Sequence, residues 1–230
     1  NRPKAQIAWK FDPPGSLTQM EGVSWEVGRT GIITPLAHLK PVNIEGTIVK
    51  NSTIHNVAEI SRLKLGIGDT VMLVKCGDII PKITSVIESK GIKIKIPTIC
   101  PSCGGPLEND GIRLFCRSDT CPAKNHSRIM NWIKVVGIDN LGESTIEALE
   151  NPYLSQGLPI EGPSIKSIRD IYLLTVPVIA AVTGGDKSAE KVFNNIQGTK
   201  TLPLQKFLAG IGIPSLSIKT AEDLVSNFKT

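Results

Sequence analysis

Between Met20 and Ile96 apolar and polar residues exchange places over short stretches, as they do along half-buried strands. Met20, Val23, Trp25 and Val27 approach this alternation, and the runs TVMLV, DIIPKITSVI and IKIKI supply three more strands. Glycines at 28, 31, 46, 66, 68, 77 and 91 interrupt the runs at short intervals, which predicts a small closed all-β barrel rather than a sheet with helical crossovers. In the last run Lys93 and Lys95 alternate with Ile92, Ile94 and Ile96, predicting one basic and one apolar face.

Beyond Cys121 the period becomes helical. Four stripes follow the i, i+3, i+4, i+7 pattern: Ile129, Trp132, Ile133, Val136; Ala189, Val192, Phe193, Ile196; Leu204, Phe207, Leu208, Ile211; and Ala221, Leu224, Val225, Phe228. Each short helix can bury its stripe only against the others. The segment NPYLSQGLPIEGP, residues 151 to 163, carries three prolines and two glycines and is expected to be a linker. KSAE at 187 to 190 and KTAE at 219 to 222 open two of these helices 32 residues apart, each after a turn, and ESTIE at 143 to 147 follows a comparable turn. The spacing suggests stacked helix-turn-helix units.

With 40% hydrophobic and 20% charged residues, the chain of 230 reads as globular and of more than one domain. Its longest apolar run, Val176 to Val182, contains a proline and is too short to span a bilayer, so no membrane association is expected. The start at Asn1 suggests a fragment. The net charge of +5 is unevenly placed: residues 1 to 96 hold 13 Lys+Arg against 8 Asp+Glu, and residues 131 to 230 hold 9 against 10. Any polyanion bound by the second half must therefore be recognised by something other than net charge.

Five cysteines and no signal peptide point to a reducing compartment. Cys100 and Cys103 enclose two residues, Cys116 and Cys121 enclose four, and twelve separate the pairs. Four thiolates so spaced can close a tetrahedral Zn²⁺ shell with no open position, which would make the metal structural; two disulfides or free thiols are the bland alternative. Glycine turns ahead of helix N-termini offer a second chemistry, because backbone amides and the helix dipole there attract phosphate oxygens. Gly142, Gly184 and Gly185 stand at such turns, with Lys187 and Lys219 placed to assist. The same residues also suit plain helix capping.

In colinear order, IAWKF (7 to 11), VGRTGIITPLAHLKPV (27 to 42), STIHN (52 to 56), IGDTV and KCGDIIP (67 to 81), CPSCGGPL (100 to 107), CPA (121 to 123) and DNLGE (139 to 143) resemble the bacterial-type NAD-dependent DNA ligase family. The resemblance implies the end of a nucleotidyltransferase domain at 1–19, an all-β OB-fold barrel at 20–97, a Cys₄ zinc finger at 98–123 and an all-α helix-hairpin-helix domain at 124–230. It also implies sealing of nicked double-stranded DNA, with NAD and Mg²⁺ bound mainly outside this chain, and a cytoplasmic location in the bacterial nucleoid or, for a viral parent, the host cytoplasm. By the same resemblance Lys10 contacts the adenylate phosphate, while Arg29, Thr30, Lys75, Ile79 and Ile80 approach DNA. Lys75 stands where the family usually has arginine, keeping charge but losing fork geometry.

The family's KxDG adenylation motif does not occur in these residues, so the chain alone is expected to be inactive and to need the ligase polypeptide upstream. The alternative is a non-enzymatic zinc-containing DNA-binding module with ligase-like architecture. Three turns depart from the family pattern. Asn140 replaces a glycine, Thr183 and Gly184 stand where glycine and an apolar residue are usual, and the turn near 212 to 217 ends in Ser217.

Overall fold

The computed structural model describes residues 15–76, 80–151 and 164–228, with the Cys76 side chain left out. Lys10, Ile79 and most of the expected linker lie outside them. The chain divides into two compact units. The first holds the described residues up to Glu26, with Ile33–Pro101 and Pro106–Phe115; the second holds Val27–Ile32, Ser102–Gly105 and Cys116 onward.

The first unit is the expected barrel. Its strands are β1 (Gly15–Val27), β2 (Ile32–Ile44), β3 (Thr47–Thr53), β5 (Thr70–Cys76) and β6 (Ile80–Glu88), with the two-residue strand β4 (Gly66–Ile67) between β3 and β5 in the chain. They hydrogen-bond in the order β1-β5-β6-β3-β2, and β1 pairs back onto β2 to close the sheet. Antiparallel pairing prevails, except that β3 meets β6 in parallel at Thr53 and Lys82. Met20, Leu39, Ile44, Val71, Leu73 and Ile83 fill the interior. Burying each such side chain contributes about 1.5–3 kcal/mol.

A helix not foreseen from the pattern, α1 (Val57–Leu63), follows β3. Asn56 caps it by accepting the Glu59 N–H at 3.0 Å, and Lys64 ends it in the left-handed region at φ 54°. The IGDTV motif also finds its reason here. Asp69 is wholly buried, and its carboxylate accepts from Gly66 N–H, Lys90 N–H and the Ser89 hydroxyl, pinning the turn into β5. The run IKIKI forms only a two-residue strand, β7 (Ile92–Lys93), against β4. Ile94 is buried but Ile92 is more than half exposed, so the expected apolar face is realised only in part.

Two short strands, β8 (Leu107–Asn109) and β9 (Leu114–Cys116), extend the sheet beyond β2. Helices then follow: α2 (Pro122–Val136), α3 (Glu143–Glu150), α4 (Ile168–Ile171), α5 (Val176–Thr183), α6 (Asp186–Gly198), α7 (Leu204–Gly210) and α8 (Ile218–Asn227). The first two predicted stripes are buried as expected, apart from Phe193, which packs half-buried against the same core. The last two are not. In α7 the buried residues are Ala209 and Gly210, and in α8 Ala221 alone, leaving Leu204, Phe207, Leu224 and Phe228 exposed. Close approach decides this for α7: a Cβ on Gly210 would lie 2.8 Å from the Trp132 ring, so the small face of the helix is the one that meets α2. Asn131 fixes the contact by donating to the carbonyls of Ala209 and Gly210.

Candidate metal centre and nucleic-acid interface

Cys100, Cys103, Cys116 and Cys121 come together with their sulfurs all within 4.8 Å of one another. Cys103 and Cys116 Sγ are 3.6 Å apart. A disulfide would hold sulfurs at about 2.05 Å, whereas four Zn–S bonds of about 2.3 Å set tetrahedral sulfurs about 3.8 Å apart. The donor set and spacing therefore fit a tetrahedral thiophilic ion, and the four positions are those expected from the sequence. Local structure explains the assembly. Gly104 takes φ +70° immediately after Cys103, a conformation that favours glycine. Cys121 is the N-cap of α2 with Pro122 behind it, which places this ligand position at the start of a 15-residue helix.

The turn carrying Arg29 and Thr30 is held to the cysteine segment. Gly28 N–H donates to Ile32 O, Gly31 N–H to Gly28 O, and Cys116 N–H to Gly31 O at 2.8 Å. Gly31 has φ +82°, and a Cβ there would lie 2.3 Å from the Cys116 carbonyl, so only glycine fits. Arg29 is half-buried, its Nε without a hydrogen-bond partner among the described residues. In the barrel, Lys75 is 6% exposed and its ammonium donates to Thr47 Oγ1 at 2.8 Å, so in this conformation it is an interior cation rather than a surface one. Ile80 is 57% exposed.

Three helix–helix turns precede α3, α6 and α8. In the first, Gly137 caps α2 at φ 83°, Ile138 and Leu141 are buried, Asn140 adopts φ 63°, and Gly142 is the N-cap of α3. Asn140 thus takes the left-handed conformation for which its short polar side chain is suited. The second turn is tight, with Gly184 ending α5 at φ 75° and Gly185 starting α6. Neither Gly142 nor Gly185 provides a side-chain cap, both are exposed, and a Cβ at either would meet nothing within 4 Å. The first-turn amides of α3 and α6 are accordingly open to an external acceptor. Lys187 is exposed beside the second turn.

The third turn repeats the first residue for residue in backbone: Gly212 at φ 77°, Ser215 at φ 65° and Ser217 as the N-cap at φ −80°, against −84° for Gly142. Here the helix end is already occupied, because Ser217 Oγ accepts the Thr220 N–H at 3.1 Å. Lys219 is exposed next to it.

A feature the sequence pattern did not reveal lies beside this third turn. Arg128, Lys166 and Arg169 line a concave pocket of about 490 Å³ together with Ile211, Gly212 and Pro214, and no Asp or Glu lines it. Asp170 lies next to Arg169 in the chain but is engaged elsewhere, accepting from Lys166 N–H, Ser167 N–H and the Ser167 hydroxyl, all at 2.9 Å. Its partial burial would raise the carboxyl, but those donors outweigh it and hold the carboxyl below its ordinary value.

Residues 17–93 match the family described as NAD-dependent DNA ligase OB-fold domain. Over 98% of its length the chain is 39% identical to a DNA ligase of Coprothermobacter proteolyticus, 36% to a DNA ligase of Halorubrum lacusprofundi and 35% to a DNA ligase of Sorangium cellulosum. It spans 34%, 31% and 32% of those proteins respectively, about a third of each. Among the described residues no helix is long and apolar enough to cross a membrane.

Proposed function

We infer, from the premise that this chain belongs to the NAD-dependent DNA ligase family, that it is the portion that grips nicked duplex DNA while a 5′-phosphate is joined to a 3′-hydroxyl. The observation that carries the reading is the pair of glycine-capped helix ends at Gly142 and Gly185, which present unsatisfied amides and space for a phosphate oxygen. Such contacts read no base, so binding is independent of sequence. They also answer the charge problem, because backbone amides recognise phosphate in a segment that is nearly neutral.

In this reading the barrel spans 20–97, the finger 98–123 and the hairpin region 124–230, with 1–19 closing the nucleotidyltransferase domain. The four cysteines hold a structural zinc, whose closed thiolate shell stabilises the finger without taking part in chemistry. Arg29, Thr30 and Ile80 contact the duplex, as does Ile79. Lys75 joins them only if its ammonium leaves Thr47. Lys10 acts on the adenylate phosphate, where an ammonium stabilises charge developing during transfer. The parent enzyme draws adenylate from NAD with Mg²⁺, both bound mainly by the upstream polypeptide.

The test is fluorescence anisotropy with a 5′-phosphorylated nicked duplex at several salt concentrations, against an unrelated protein of equal net charge. We expect tighter, salt-dependent binding that does not vary with sequence, and equal affinity for the two proteins would sink the reading. Addition of NAD and Mg²⁺ to the chain alone should yield no sealed product.

A further inference from the structure

We propose that the pocket beside the third turn is a seat for a DNA backbone phosphate held by the side chains of Arg128, Lys166 and Arg169, in place of the helix-end amides that serve the first two turns. The proposal rests on the duplex-binding reading above and adds a site to it. Its cations come from two helices and the segment between them: Arg128 projects from α2, Arg169 from α4, and Lys166 lies just before α4.

Three like charges around one pocket repel one another unless an anion is supplied. Among the described residues no ion pair supplies one; the Asp170 charge is felt at Arg169 without pairing to it. Among the described residues neither the Arg128 guanidinium nor the Lys166 ammonium has a carboxylate partner, and Arg169 forms no ion pair. Asp170, which could have neutralised them, is spent on capping α4. Arg29 adds a fourth cation: Cδ and Nε lie 3.6 and 3.7 Å from where a Cβ of Gly212 would stand, and Gly212 lines the pocket. Its buried, unpartnered Nε is a second sign that this region lacks an acceptor.

The chemistry selects a phosphodiester. Two guanidiniums can each bind phosphate oxygens in fork geometry, and the ammonium adds a compact point charge. The occupied cap at Ser217 fits the same division of labour, because a helix end that already bonds its own serine has less to offer a ligand.

The test uses the zinc-loaded 230-residue chain and the nicked duplex. One variant combines Arg128→Gln, Lys166→Gln and Arg169→Gln; a control combines Lys134→Gln, Lys191→Gln and Lys206→Gln, exposed lysines of the same unit that line none of this pocket. Each phosphate neutralised carries about 0.9 of the slope of log K against log salt, so losing this one phosphate should cost the pocket variant about 0.9 of slope and the control much less. Affinity near 0.1 M salt should fall at least about tenfold for the pocket variant, which corresponds to roughly 1.4 kcal/mol. Equal slopes for the two variants, with the unaltered chain still binding, would overturn the pocket and leave the duplex reading intact. Failure of the unaltered chain to bind duplex would remove both. If circular dichroism shows that the triple variant does not fold, Arg169→Gln alone at its exposed site gives the same readout, with a smaller expected loss of at most about 0.9 in slope.

Discussion

The turns at 137–142 and 212–217 have the same backbone and different surroundings. Each begins with a left-handed glycine, passes through a second left-handed residue and ends at an extended N-cap. In the first, Ile138 and Leu141 are buried and the N-cap is a bare glycine. In the third, Ile213 is 41% exposed, Leu216 is half-buried and the N-cap is a serine that bonds its own helix. Backbone conformation therefore does not by itself decide what a helix–helix turn can bind. The residue at the helix end decides whether amides are available, and the neighbouring side chains decide whether cations can replace them.

The largest effect should separate the two leucines. Leu141→Ala removes a core side chain and should cost about 2–4 kcal/mol in urea unfolding, whereas Leu216→Ala should cost less than about 1 kcal/mol. Equal losses would mean that the two turns are packed alike. Next comes Gly142→Asp, which places a carboxylate acceptor at an N-cap position. The helix should hold or gain stability while nicked-duplex affinity falls at least about tenfold, a change of roughly 1.4 kcal/mol. Unchanged affinity would show that the first turn's amides do not meet phosphate.

Ser217→Gly makes the third turn resemble the first. A serine cap exchanged for glycine costs only a few tenths of a kcal/mol, and duplex affinity should rise about two- to threefold as the amide is released. The smallest effect is in pH. Asp170 has a folded-state carboxyl below its ordinary value, so its capping contribution is fully present above the unfolded pKa and is lost as pH falls through the lower folded one. Acid titration of Asp170→Asn should accordingly lack a component of destabilisation below about pH 4 that the unaltered chain shows.

The cysteine cluster was readable in the chain because its four members lie close in sequence, at spacings that let their sulfurs meet. The first turn was readable for a similar reason: glycine and asparagine at 137, 140 and 142 announce the left-handed and extended positions that they fill. The stripes of α7 and α8 misled because helical periodicity reports which face could be buried, not which face meets a neighbour. In α7 Gly210 lies closest to Trp132, with Phe207 edge-on to the same ring yet still exposed. Lys75, named from the family resemblance, is 6% exposed and donates to Thr47, an arrangement that no local sequence pattern announces. Helix α1 was missed because its seven residues are too short for a clear period.

Local chemistry was settled by the order of residues alone: which segments alternate, where a left-handed backbone is permitted, and which four sulfurs can reach one ion. Those properties depend on neighbours a few positions apart, and folding does not alter them. Tertiary structure decided which helix faces are covered, which lysines lie inside, and that Arg128, Lys166 and Arg169 line one pocket beside Gly212, with Arg29 close to the same glycine. Those facts depend on residues up to 183 positions apart from Arg29 to Gly212, and no period or composition carries information about such distances.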